Sequence, residues 1–185
     1  AIVLGLLNSG VPAERIGAYD ISESAAMKFT EATGIKTTPF LANTVADADT
    51  IILAVKPQFA HTALSDVKAQ ISGKLLISIA AGLSIKNLME MSSCTRVIRV
   101  MPNVAAVVGE AMSCYAGAPN ISEQDIKRAE LILNAIGRSR KVLESQMDAV
   151  TGLSGSGPAY VLDFIMALAD GGVDSGLSRD MAIEM

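Results

Sequence analysis

Four short runs hold the residues best suited to handling a bound small molecule. They are Asp20 with Ser22, then Ala54-Val55-Lys56-Pro57, Ala80-Ala81-Gly82 and Met101-Pro102-Asn103. An acid that ends a strand, as Asp20 would, can accept a hydrogen bond from a ribose 2′-hydroxyl, its use in dinucleotide-binding folds. It can equally cap the following helix, a task Ser22 performs better. Small residues and glycine after a strand let the backbone approach a ligand closely. Lys56 would add a cation there, although a surface lysine lying along its own stem reads the same way. His61 is the only histidine and flanks an apolar helical stripe, so it reads as a partly solvated, non-catalytic side chain. One imidazole supplies neither a Ser-His-Asp triad nor a zinc site, and Cys94 and Cys114 are far apart with no histidine partner. The nine methionines read as core filling. No residue presents itself as a general acid, and no metal is expected.

Composition narrows the class. Half of the 185 residues are hydrophobic and 18% are charged, which excludes a disordered chain. A net charge of −4 without any Lys/Arg-rich run argues against a nucleic-acid or anionic-membrane partner. Aromatics at 4% and the absence of Trp disfavour base stacking. Two cysteines make no disulfide framework and fit a reducing cytoplasm. The apolar stretch 158–169 contains Asp163 and is too short to span a bilayer.

The elements that must position these residues alternate. Arg15–Asp20 predicts a short strand and Ser22–Thr33 a helix stopped by Gly34, with a further short strand near Ile35–Thr38 and a brief helix over Asn43–Ala48. Thr50–Val55 is a continuous β-branched run, the mark of a strand buried on both faces. Next comes a helix with Ala60, Ala63, Leu64, Val67 and Ile71 on one stripe, then a second buried strand, Leu75–Ile79. This βαβ unit implies a parallel sheet with helices on both faces, an α/β fold. Strands over Arg96–Val100, Ala111–Ala116 and Ser139–Leu143 follow, with a helix opened by Ser122 before the last. The strand ends at Lys56 and Ala80–Gly82, together with Asn43, are expected to form one cleft. A Gly/Ser-rich stretch, 152–157, marks a domain boundary near residues 145–155, taken as a division into 1–150 and 151–185. The helix after Pro158 is apolar on nearly every side, so it must be buried, in an oligomer interface or as a central helix. The opening residues read as a helix end without an N-cap, and Met185 ends a helix with no stop signal. The sequence is therefore read as an interior segment of a longer protein.

Four motifs in series are more specific than any one of them. Ala54-Val55-Lys56-Pro57-Gln58, Ser78-Ile79-Ala80-Ala81-Gly82, Arg99-Val100-Met101-Pro102-Asn103 and Leu153-Ser154-Gly155-Ser156-Gly157-Pro158-Ala159-Tyr160 occur in the order and spacing that resemble pyrroline-5-carboxylate reductases, over essentially the whole chain. The resemblance implies a doubly wound Rossmann domain followed by the start of an all-helical dimerisation domain. It implies reduction of the ring imine of 1-pyrroline-5-carboxylate to L-proline, the last step of proline biosynthesis, by NADP or NAD cofactors in a cytoplasmic homo-oligomer built on dimers. It places Asn43, Ala54, Val55, Lys56, Pro57, Ala80, Ala81 and Gly82 along the cofactor. Ser22 would lie near the adenosine ribose, and Met101, Pro102 and Asn103 beside the nicotinamide. The glycine-rich G-x-G-x-x-G turn and the Gly-Gly-Thr segment used for the substrate carboxylate do not occur in these residues. Where the family continues Met-Pro-Asn with Thr-Pro-Ala, this chain has Val104-Ala105-Ala106.

Two other classes are carried alongside. One is another reductase of this architecture, a β-hydroxyacid dehydrogenase or a deazaflavin-dependent NADP reductase; neither is expected to carry the Ser-Gly-Ser-Gly-Pro-Ala-Tyr segment. The other is a non-catalytic dinucleotide sensor. From Asp20, and the lack of Arg or Lys before Lys28, NADH is expected to serve at least comparably to NADPH.

Overall fold

The computed structural model describes residues 1–185. Five strands form one sheet in chain order: β1 (Thr50–Leu53), β2 (Leu75–Ser78), β3 (Arg96–Met101), β4 (Ala111–Gly117) and β5 (Gly137–Lys141). β1, β2 and β3 run parallel; β4 lies antiparallel to β3 and parallel to β5. The helices are α1 (Ile2–Asn8), α2 (Glu23–Thr33), α3 (Leu41–Ala46), α4 (Pro57–Ser65), α5 (Lys68–Ile71), α6 (Ile85–Ser92), α7 (Glu123–Asn134), α8 (Met147–Val150), α9 (Gly157–Asp174) and α10 (Arg179–Glu184).

Period-two alternation sorts the buried strands between two cores. Leu53, Leu76, Val97 and Ala116 pack with Val45, Leu64, Ile71, Leu88 and Met147 on the face covered by α3 to α6 and α8. Leu75, Ile77, Ile98, Val100 and Tyr115 pack with Leu6, Ala129 and Leu133 on the face covered by α1 and α7. Helices cover both faces, the doubly wound arrangement; β2 is buried throughout, whereas β1, an edge strand, buries only Leu53 and corrects the expectation that Thr50–Val55 is buried on both faces.

Local signals set most helix ends. The Ser22 hydroxyl accepts the Ala25 N–H, and Gly34 closes α2 at φ 73°. Ser122 and Asp125 form a capping box at the start of α7. Pro57 starts α4 at a position that needs no N–H partner.

The structure corrects several expectations. Arg15–Asp20 and Ile35–Thr38 are not strands: Arg15 ends a 3-10 turn, Ala13–Arg15, and residues 16–20 and 35–38 take no regular structure. Neither joins the sheet, and one backbone bond, Thr38 N–H to Ala18 O at 2.9 Å, links them. β propensity without a ladder partner does not make a strand. The helix expected through Ile71 breaks at Asp66–Val67 into α4 and α5, yet Ala60, Leu64, Val67 and Ile71 are all buried as one stripe requires. β5 begins at Gly137, two residues before the expected start. α6 has no counterpart in the predicted elements, because its Ser84–Asn87 capping box replaces the usual Glu or Gln by Asn.

The apolar helix after Pro158 is α9, and little of this chain packs against it. In α9 only Ala169 is buried, while Tyr160, Leu162, Phe164 and Leu168 are each more than half exposed. No helix is long and apolar enough to cross a membrane.

Candidate functional site

Because β1, β2 and β3 are parallel, the segments that follow them leave the sheet at the same end. Ala54–Pro57, Ala80–Gly82 and Met101–Asn103 are those segments, so the structure brings three of the four predicted runs to one edge. The ladder continues one step past β2, where Ile79 N–H donates to Leu53 O at 3.1 Å, keeping the first two segments in step.

Each segment has a local anchor. The buried Ser78 hydroxyl accepts the Ala80 N–H at 3.3 Å, which turns the chain out of β2. Gly82 then takes φ 77°, with nothing within 4 Å of where a Cβ would sit. That left-handed backbone favours glycine and leaves the approach to the loop clear. Asn103 Oδ1 accepts the Met112 N–H at 3.4 Å, tying the third segment to β4. Between them Val104–Val108 form a tight 3-10 turn that exposes Val104, Val107 and Val108. This is the conformation taken where the family pattern would place Thr-Pro-Ala.

Exposure fits a surface that can take a ligand. Ala54, Val55, Lys56, Pro57, Ala81 and Gly82 are exposed, Met101, Pro102 and Asn103 are half-buried, and Ala80 is buried. Asn43 is exposed in the middle of α3, whose last carbonyls, Val45 O and Ala46 O, accept from Lys74 Nζ at the far end of β2. Asp20 is exposed, and its Oδ1 accepts the Ser22 N–H at 2.8 Å. The Ser22 hydroxyl also lies 3.0 Å from that of Ser24. His61 is exposed beside Ser65, one turn along α4 from Pro57. No group of three or more His, Cys, Asp or Glu side chains is arranged to hold a metal ion.

A cavity of about 430 Å³ lies at the opposite end of the sheet, lined by Asp47, Asp49, Lys74, Arg96 and Arg128 among others. Its size does not make it the site, because its cations are engaged. Lys74 holds the α3 carbonyls, and Arg96 donates to Gly73 O and to both oxygens of Asp125. In open α/β sheets ligands bind instead outside the carboxyl ends of the strands, where the three loops are.

Two non-local ion clusters have no sequence motif. Arg96 grips the 2% exposed Asp125, and with the Ser122 hydroxyl this holds the Asp125 carboxyl at about 2, well below the usual carboxylate range. Arg99, buried in β3, faces Glu144 and Asp148 at 3.6 Å each. Only contacts across long sequence distances reveal either cluster.

A doubly wound sheet with small, open loops at the carboxyl ends of its parallel strands defines the class, a Rossmann-type dinucleotide-binding fold. Residues 1–82 match the family model for NADP oxidoreductase, coenzyme F420-dependent, and residues 144–185 match the one for pyrroline-5-carboxylate reductase dimerisation. The pyrroline-5-carboxylate reductase of Methanosarcina acetivorans is 44% identical over the whole chain, which covers 70% of that protein. The one from Arabidopsis thaliana is 40% identical, again over the whole chain and 68% of its own length. A solved pyrroline carboxylate reductase of Plasmodium falciparum with NADP bound superposes at a TM-score of 0.89 with 34% identity, covering 99% of this chain and 68% of that one. The chain belongs to the pyrroline-5-carboxylate reductase family.

Proposed function

We propose that the protein reduces 1-pyrroline-5-carboxylate to L-proline with NAD(P)H. The observation that carries this is the pairing, in one chain, of three ligand-ready loops at one sheet edge with a segment matching the family's dimerisation model. The coenzyme F420-dependent family model covers only residues 1–82, with two of the five strands, so it does not favour the deazaflavin-dependent alternative.

The loops fit a nicotinamide dinucleotide. They are small, exposed and open at Gly82, and Lys56 adds a positive charge near the edge. When bound, the cofactor supplies the hydride. Ala54–Pro57 and Ala80–Gly82 would lie along it, with Asn43 alongside, and Met101, Pro102 and Asn103 would shield the reacting ring from water. No side chain of these loops is assigned as a proton donor. Consumption of NAD(P)H by the full-length protein on addition of pyrroline-5-carboxylate, with L-proline as product, tests the reading. Cofactor binding without turnover would favour a sensor.

The remaining assignments belong to the same proposal. Residues 1–150 form the dinucleotide-binding domain and 151–185 the start of the helical domain. Met147 is buried in the sheet-domain core, and the helical turn Thr151–Gly155 joins it to α9. A second copy covers the apolar face of α9, giving a homo-oligomer built on dimers. Phe164→Asp in the full-length protein is expected to convert it to monomer in sedimentation equilibrium, because a charge there would be buried unpaired. An unchanged dimer would place the interface elsewhere. Two free thiols, both buried, fit a cytoplasmic setting.

Asp20 and Ser22 are assigned to the adenosine ribose. The Asx-type bond to Ser22 N–H fixes the Asp20 carboxylate just ahead of α2. There it accepts a 2′-hydroxyl and repels a 2′-phosphate by about 1–2 kcal/mol after screening, roughly tenfold in affinity. The Ser22 and Ser24 hydroxyls offset part of this. NADH is therefore expected to serve at least comparably to NADPH, and Asp20→Ser to shift the ratio of kcat/KM values toward NADPH by about tenfold. A wild-type preference of about a hundredfold for NADPH, some 2.7 kcal/mol, would show that Asp20 does not face the ribose.

A further inference from the structure

Glu144, in the turn that follows β5 and the first residue matched by the dimerisation model, turns its carboxylate onto α6 and β3. Its Oε1 accepts the Ile85 N–H at 2.6 Å and lies 3.6 Å from Arg99 Nη1. Ile85 opens α6, just after the Ala80–Gly82 loop, and Arg99 stands in β3 two residues before Met101. One oxygen thus ties together the roots of two of the three loops.

The charges are unequal partners. The Arg99 side chain is 11% exposed and that of Glu144 37%, whereas Asp148, facing the other arm of Arg99, is 99% exposed. An ion pair with a fully hydrated carboxylate contributes little, so Glu144 is the chief neutralising group for a buried guanidinium. It also satisfies an N–H of the first turn of α6 and sets a negative charge at the positive end of that helix. Attachment of the segment does not depend on it. Met147 is fully buried in the sheet-domain core, and Gly155 packs so closely on Met101 that a Cβ would lie 2.6 Å from Met101 Cε.

We propose that Glu144 is a positioning residue for cofactor binding, holding the Ala80–Gly82 and Met101–Asn103 loops in register through the Ile85 N–H and Arg99. The proposal rests on the reading that these loops hold the nicotinamide cofactor.

The test compares Glu144→Ala, Glu144→Gln and Asp148→Asn in the full-length protein. The readouts are the Kd for NADPH and NADH by fluorescence titration, the KM-against-kcat split, and the thermal midpoint. Glu144→Ala should raise the cofactor Kd and KM about tenfold while kcat at saturating cofactor stays within about twofold. Glu144→Gln keeps an acceptor for Ile85 but not the charge, and should cost about threefold. Asp148→Asn should change neither. A lowered thermal midpoint with wild-type Kd in Glu144→Ala would overturn the proposal. If that variant does not fold, a wild-type Kd in Glu144→Gln overturns it instead. Wild-type protein that binds neither cofactor would overturn the reading of the loops, and this proposal with it.

Discussion

Gly137→Ala is expected to destabilise the protein by about 3 kcal/mol or more, a large effect for a single added methyl group. Gly137 opens β5 opposite Ala111, the first residue of β4, at φ 145°. A Cβ at this position would sit 2.2 Å from Ala111 O and 2.3 Å from Ala111 N. Those atoms are backbone, so no rotamer change relieves the clash, and the ladder itself must move. The bond from Ala111 N–H to Ile136 O, 2.9 Å long, would be the first lost. For a domain of this size such a loss lowers the thermal midpoint by roughly 6–12 °C. Gly17→Ala is the matched control. Its Cβ would meet Thr44 Cγ2 at 3.5 Å, an ordinary contact, and the change should stay within about 0.5 kcal/mol. Urea unfolding of the two variants checks the prediction; equal midpoints would mean that β4 and β5 can slide apart without penalty.

Asp125→Asn is expected to cost about 2 kcal/mol at pH 7 and progressively less in acid. The carboxylate is buried and bound to the Arg96 guanidinium, with the Ser122 hydroxyl donating to it at 2.7 Å. Removing one partner of a buried pair costs about 3–5 kcal/mol, and the partial exposure of Arg96, 37% for its side chain, reduces that figure. The pH dependence has a definite sign. The Asp125 pKa, about 2 in the folded protein, lies below the 3.8 of an unperturbed aspartate. The unfolded chain therefore takes up its proton first as the pH falls. The contribution is complete above about pH 4 and is lost between there and about pH 2. Wild-type stability should fall more steeply than that of Asp125→Asn across this window, so that the two curves converge. Parallel curves in urea unfolding at pH 7, 4 and 3 would remove Asp125 from the acid response.

The strands were legible in the sequence wherever a continuous apolar run marked them, although β1, at the edge of the sheet, buries only Leu53 and not both faces as its run predicts. Thr50–Leu53 and Leu75–Ser78 fall within the predicted strands, and Arg96–Met101 extends its prediction by one residue. The three loops follow from those strands, because parallel neighbours joined by helices must end on the same side. Arg15–Asp20 carries similar β-forming residues, yet whether such a segment pairs depends on a neighbour it does not encode. The reversed direction of β4 was not legible either, since a strand's residues specify its faces and not its sense. Arg96 with Asp125, and Arg99 with Glu144, escaped for a third reason. An isolated charge reads as a solvated surface group until the fold brings its partner to it across the sheet.

The register of the reversed strand also gives the sheet an uneven outline. Met101 pairs with Cys114, so Ala111, Met112 and Ser113 run on past the point where β3 ends, and β5 runs beside them from Gly137 to Ser139. The edge that carries the loops is thus a step, with the turn after β1 and the turn after β2 on the low side and a two-stranded parapet rising beside Met101–Asn103. A molecule lying across the loops meets a backbone wall at its β3 end and open ground toward β1. The asymmetry gives a head and a tail to any elongated ligand laid there.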